Sequence, residues 1–333
     1  MDMIHFNSDA ASKEIFCQAR TAARGCADSG FESIVRRILN KGLRALVRTK
    51  KRVIPNFRLE TLPFYAGMKR WLFGKLRQTE VTVHGFRLRL DPVDSLELSI
   101  FQSYEPFETQ LLTSEIQQGQ TIIDVGANIG YYTLLFSMLT GDTGRVFALE
   151  PEPHNYKILR ENIDRNGRTN IVAVNKAAGD VSGESFLYLS SKNYGDHQAY
   201  ASDENRDRII VQMAQIDDLV CGPVDLVKLD VQGFEFAALK GMRQVLLNNP
   251  AITLFTEFCP AGLHQAGSDA GEFLRFLRSQ DFEIFYINEY ANRLDIANDE
   301  ILLKRYSRAK GSHTNLLCRR TAARRQKDNR LNV

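Results

Sequence analysis

The chain has 333 residues, 44% of them apolar and 25% charged, with a net charge of +3. That length favours one large domain with appendages, and the balance excludes a chain disordered throughout, a collagen-like repeat and a disulfide miniprotein. No run approaches the ~18 apolar residues of a membrane span, and the first residues lack the basic-then-apolar order of a secretory signal. Five scattered cysteines without a C-x-x-C pair add the expectation of a reducing, cytoplasmic setting and no structural metal.

Charge is segregated along the chain. Residues 31–58 carry nine Lys/Arg against one acid, residues 304–333 ten against one and residues 1–30 three against four, which leaves 59–303 at −13. Residues 1–30 read as a loosely ordered leader. From Phe31 to Val53, apolar residues recur at the helical period between arginines and lysines, a basic amphipathic helix stopped near Pro55. It packs on its own domain or a second copy, as in a homo-oligomer, or lies on an anionic membrane surface; both readings stay open. The organisation expected is a leader (1–30), a basic helical extension (31–79), one catalytic-size domain (80–320) and a basic tail (321–333).

EVTVHGFRLRLDP, residues 80–92, alternates around His84-Gly85 as a β-hairpin. A helix is expected from Pro106 to Gln118, closed by Gly119. TIIDVG, RVFALEP, NIVAVN, VDLVKLD and AITLFTEF then form five continuous apolar, β-branched runs, separated mainly by helical segments at 131–139, 154–166, 234–247 and 270–280. Such runs with helical crossovers predict a doubly wound α/β domain with a mostly parallel sheet. GESFLYLS and DRIIVQMA flank a polar stretch, 191–205, that reads as a loop at a sheet edge, and long loops are often functional. FEIFYINEY and TNLLCRR add two strands, the last antiparallel.

The richest stretch is TIIDVGANIGYY, residues 121–132: a strand ending at Asp124, a turn through Gly126, Asn128 and Gly130, then a helix. In open α/β sheets ligands bind at the carboxyl ends of strands, and such a turn lets backbone approach one. The four-residue Gly126–Gly130 spacing lacks the G-x-G-x-x-G of a dinucleotide site, and Asp124 would repel a diphosphate yet suit an ammonium or sulfonium. A cationic nucleoside such as S-adenosylmethionine is favoured. Glu150 ends the next strand, where an acid can accept both ribose hydroxyls; the alternative is a helix-entry carboxylate before Pro151-Glu152-Pro153.

DVGANIGYYTLL, FALEPEPHNYKILRENI, NKAAGD, VKLDVQGFEFAALKGM and TEF occur in the order seen in FkbM-family methyltransferases, and YEPFETQLL and TNLL are similar to that family's flanks. The resemblance spans roughly residues 81–317. It implies a class I, Rossmann-like fold: a seven-stranded sheet with a reversed final strand, using S-adenosylmethionine. It further implies that Asp124, Gly126, Asn128 and Gly130 hold the methionine part, Glu150 the ribose, and Pro151 and Ala177, in a Lys176-Ala177-Ala178 turn, the adenine. Glu105 and Glu108 would then close over the cofactor or merely sit at a helix N-terminus. Where the family commonly has an acid, in K-x-D-x-E-G, this chain has Gln232, which makes metal dependence less expected.

Methyl transfer from a sulfonium is an in-line displacement, and a hydroxyl acceptor needs a base within hydrogen-bond reach. The candidates are Asp230 and Glu257, at the ends of the fourth and fifth parallel strands, His197 in the polar loop, and His264. Asp230 could instead hold the cofactor's ammonium or cap a helix. No cysteine has a neighbouring histidine in sequence, so thiol nucleophiles are not expected. The acceptor implied by the resemblance is a hydroxyl of a sugar, glycan or polyketide-type molecule, with Tyr194, Tyr200, Phe258 and Tyr286 as stacking candidates. A nucleic-acid methyltransferase is a weaker reading, since the acidic body would repel phosphates, and a noncatalytic binding protein another.

Overall fold

The computed structural model describes residues 77–191, 193–201, 205–288, 291–307 and 312–320; the expected leader, basic helix 31–53 and basic tail lie outside them. The chain divides into two compact units after Pro106. In the first, strands β1 (Glu80–Val83) and β2 (Phe86–Arg89) pair antiparallel with Val83 opposite Phe86. The turn uses His84 and Gly85, both at positive φ, and Val81, Val83, Phe86 and Leu88 are buried at alternate positions. Asp91 then accepts the amides of Val93 and Ser95, leading into a single helical turn α1 (Leu98–Phe101).

Helix α2 (Pro106–Glu115) leads into the second unit and ends three residues before the expected Gln118. The elements that follow are β3 (Thr121–Val125), α3 (Tyr131–Thr140), β4 (Arg145–Leu149), α4 (Pro153–Arg165) and β5 (Ile171–Val174). After them come β6 (Ala177–Ala178), β7 (Gly183–Tyr188), β8 (Arg208–Ala214) and β9 (Leu226–Leu229). The unit closes with α5 (Glu235–Lys240), α6 (Arg243–Asn248), β10 (Thr253–Phe258), α7 (Pro260–Gln265), α8 (Ala270–Ser279), β11 (Phe282–Asn288), β12 (Arg293–Ile296), α9 (Asp299–Arg305) and β13 (Thr314–Arg320).

The main sheet has the order β12-β11-β13-β10-β9-β3-β4-β5. Strands β5, β4, β3, β9 and β10 are parallel, and β13 inserts antiparallel between β10 and β11. These are the seven expected strands with the last one reversed, extended by the edge strand β12. The chain runs outward from β3 to β5 and returns at β9 on the other side of β3. That reversal opens a crevice at the carboxyl ends of β3 and β9, where doubly wound sheets take their ligands. Ile123, Val125, Leu229, Leu254 and Phe258 pack with Phe236, Phe273, Leu274 and Leu277 in one continuous core. Ala127 and Ala148 pack with Leu159 and Ile163 in another.

Two local expectations change. The helix expected over 234–247 is broken between α5 and α6. A Cβ on Gly241 would lie 1.9 Å from the Gly179 carbonyl, so the backbones touch there, and the freed Gly241 carbonyl accepts the Asp217 amide. Asp217 in turn caps α6 through the amides of Gln244 and Val245. The polar stretch expected at a sheet edge instead joins β7 to β8 in a separate three-stranded sheet, β6-β8-β7. Among the described residues no helix is long and apolar enough to cross a membrane.

Candidate active site

The register aligns four residues just beyond the strand tips. Val125 pairs with Leu149 and with Leu229, and Leu229 with Thr256, so the next residues, Glu150, Gly126, Asp230 and Glu257, form one row across β4, β3, β9 and β10. Gly126 has φ +83°, and a Cβ there would lie 1.9 Å from the carbonyl oxygen of Asp230, so only glycine fits between the two strands. Gly126 and Ala127 both donate their amides to the Leu149 carbonyl, at 3.0 and 2.9 Å. Gly130, also at positive φ, packs on Leu159 of α4 and starts α3. The turn is therefore pinned to β4 on one side and to Asp230 on the other.

Glu150 ties the cofactor side together. One carboxylate oxygen accepts the Asn128 amide at 2.8 Å and the other the Glu152 amide at 2.9 Å. Burial pushes its pKa up to about 8 against those two amides. Capping of α4 belongs to Glu152, whose carboxylate accepts the Asn155 amide at 2.6 Å, so the helix-entry alternative for Glu150 falls to its neighbour. Asn175, which the sequence did not mark, donates to the carbonyls of Glu150 and Pro151 at 2.8 and 3.0 Å. Ala177 departs from expectation: the supposed turn is strand β6, and its side chain packs with Leu187, Val211 and Met213.

Two buried acceptors here have no donor: Asn128 Oδ1, on a residue at positive φ, and Asp124 Oδ1. The other Asp124 oxygen accepts the Thr133 hydroxyl at 2.6 Å, and burial raises its pKa against the opposing charge of Lys228. A pocket of acceptors lacking donors fits a ligand rich in N–H and O–H groups and carrying positive charge.

The loop between β7 and β8 lies along this turn. Asn155 Nδ2 donates to the Tyr194 carbonyl at 2.8 Å, and a Cβ on Gly195 would stand 3.1 Å from Asn128 Nδ2. Asp196 is paired with Arg206 at 2.8 Å. His197 Nδ1 accepts the Ser190 amide at 3.0 Å, which places the ring proton on Nε2. His197 is a donor in this arrangement, and the expectation of a base is corrected.

On the other flank, Asp230 is held by Lys228 at 3.1 Å and by Gln232 Nε2 at 2.9 Å. The backbone turn beneath it is fixed by Glu235, whose Oε1 accepts the amides of Val231 and Gly233, and by Tyr200, whose hydroxyl donates to the Gln232 carbonyl at 2.9 Å. Burial pushes Glu235 up to about 7 and raises Tyr200 and the Cys259 thiol as well, so Cys259 stays a thiol. The charge of Glu257 adds to the upward shifts of both Tyr200 and Cys259, and its carboxylate lies 3.9 Å from His313 Nε2. The structure thus groups Asp230 and Glu257. It leaves His264 exposed on the last turn of α7, and it buries Phe258 and Tyr286 in the core. Glu235 escaped the sequence reading because nothing local shows that a helix-start glutamate reaches back to two amides. Lys228 was readable, since a spacing of two puts it on the face of Asp230.

Residues 124–284 match the sequence profile of the Methyltransferase FkbM domain. Hexuronic acid methyltransferase AglP of Haloferax volcanii is 29% identical over 187 residues, 53% of this chain and 74% of its own length. Among solved structures, methyltransferase FkbM from Methylobacillus flagellatus is 15% identical with TM-score 0.37, covering 68% of this chain and 53% of its own. SMU.1697c from Streptococcus mutans, in complex with SAH, is 12% identical with TM-score 0.40, covering 64% and 96%. Residues 124–284 therefore match the FkbM methyltransferase domain, and the chain is a methyltransferase of the class I fold that uses S-adenosylmethionine.

Proposed function

We propose that this methyltransferase acts on an oxygen, a hydroxyl of a sugar, glycan or related polyol. The observation that carries this is the row at the strand tips, in which the glycine turn stands between Glu150 on one side and Asp230 and Glu257, neighbours in the row, on the other. Glu150, Asn128 and Asp124 supply acceptors for the hydroxyls and ammonium of S-adenosylmethionine, whose sulfonium, when bound, supplies an electrophilic methyl. Asp230 and Glu257 supply acceptors for the hydroxyl hydrogens of the methyl acceptor. Holding that hydroxyl behind the methyl in line accounts for much of the acceleration. Asp230 already has a donor on each oxygen, so Glu257 takes the proton, with the exposed His313 next in line toward water.

The relative named for hexuronic acid supports a sugar acceptor. The carboxylates beside the turn favour an uncharged ring over a uronate, because a further anion there meets like charges. The test is incubation of the full chain with methyl-labelled S-adenosylmethionine and a panel of neutral hexosides, the matching uronates and RNA, read by mass spectrometry. Label on a hexoside hydroxyl is expected. Label on RNA alone, or none from a chain that binds S-adenosylhomocysteine, would overturn the reading.

A further inference from the structure

Lys228 stands in an unusual place for an ammonium group. Its side chain is 3% exposed in strand β9, whose residues are all buried, opposite Asp124 in the β3 register. Its Nζ lies 4.8 Å from the centre of the Tyr132 ring and 3.1 Å from Asp230 Oδ2. A buried ammonium persists where it is paired, and here the pairing fixes the direction of a carboxylate at the mouth of the site. Gln232 completes the arrangement from the other side. Its backbone is at φ +53°, its carbonyl is tied to Tyr200, and its Nε2 reaches Asp230 Oδ1 at 2.9 Å. Each Asp230 oxygen thus receives one donor, from a strand residue and from a turn residue, while 27% of its side chain stays exposed along the tip row.

Glutamate at 232 would set a second carboxylate at hydrogen-bond distance from Asp230, and such a pair must share a proton or bind a cation. Glutamine removes that need by offering an N–H. We propose that Lys228 and Gln232 are positioning residues: they clamp Asp230 as a directional acceptor for a substrate hydroxyl next to the one that reacts, and they occupy the place a divalent cation would take beside it. The part concerning substrate rests on the oxygen-methyltransferase reading above; the clamp does not.

The test compares the full chain with Lys228→Met, Gln232→Asn, which keeps a residue tolerant of positive φ, and Gln232→Glu. Mn2+ titration followed by electron paramagnetic resonance is expected to show binding by Gln232→Glu and none by the parent. With a methylated acceptor in hand, kcat falls about 10- to 100-fold in Lys228→Met and Gln232→Asn while the affinity for S-adenosylhomocysteine stays within about threefold. Should Lys228→Met fail to fold, the two Gln232 variants carry the test. Mn2+ binding equal in parent and variant, or affinity for S-adenosylhomocysteine lost in step with kcat, would overturn the clamp. If no acceptor is ever methylated but the Mn2+ result holds, the functional reading fails and the clamp stands.

Discussion

Glu150 gives the structure a pH signature that can be measured without a substrate. Its carboxyl ionises near pH 4.5 when exposed, and burial in the folded chain pushes that up to about 8. Between those values the folded chain holds a proton that the unfolded chain has lost. The proton count is therefore higher in the folded state, and stability falls as pH rises through this window. Each pH unit of the window is worth about 1.4 kcal/mol, so the full loss across it is on the order of 5 kcal/mol as an upper limit. Glu235, pushed up to about 7, adds a loss of the same sign over a narrower range. Urea midpoints of the ligand-free chain from pH 5 to 8 should fall steadily, and Glu150→Gln should remove the part of the fall between pH 7 and 8. If ribose hydroxyls donate to this carboxylate, binding favours its ionised form, so S-adenosylhomocysteine should release protons and bind up to about tenfold more tightly for each unit by which pH rises toward 8. Urea midpoints that are flat with pH, or equally sloped in Glu150→Gln, would rule out a buried, protonated Glu150.

Other outcomes follow from the same geometry. Gly126→Ala places a Cβ within 1.9 Å of the Asp230 carbonyl at positive φ, so calorimetry should show S-adenosylhomocysteine affinity reduced by about 100-fold or more. Gly233→Ala would drive a Cβ into the Gly262 backbone at 2.6 Å, and thermal melts should drop with a loss of about 2 kcal/mol or more. Glu257→Gln should lower kcat by about 10²-fold or more with KM little changed, measured on the methylated acceptor. A neutral hexoside should show kcat/KM at least about tenfold above its uronate, by the like-charge argument.

The parallel strands were legible because their apolar runs are continuous, which only a sheet covered on both faces requires, and the glycine turn because its conformations exclude most other residues. Glu150 was legible from its place one residue beyond a strand. What escaped depends on partners distant in sequence. The break after α5 arises because the Gly179 carbonyl occupies the space beside Gly241, a fact with no local sign. Strand β12 is short and half-polar, so neither period marks it. His197 read as a base until its Nδ1 proved to be holding the Ser190 amide, and Ala177 read as a turn until β8 paired with it. The adjacency of Asp230 and Glu257 was half legible: each ends a strand, but only the β9 to β10 register brings those strand ends side by side.

On this reading the glycine turn holds S-adenosylmethionine between Glu150 and Asp230, with the methyl acceptor on the Asp230 side. Calorimetric titration of the full chain with S-adenosylhomocysteine, for the parent, Glu150→Ala and Asp230→Asn, separates the two sides in one experiment. Binding by the parent is expected, with a loss of about 30-fold or more in Glu150→Ala and near-parent affinity in Asp230→Asn. Absence of binding by the folded parent, or a loss confined to Asp230→Asn, would contradict that arrangement.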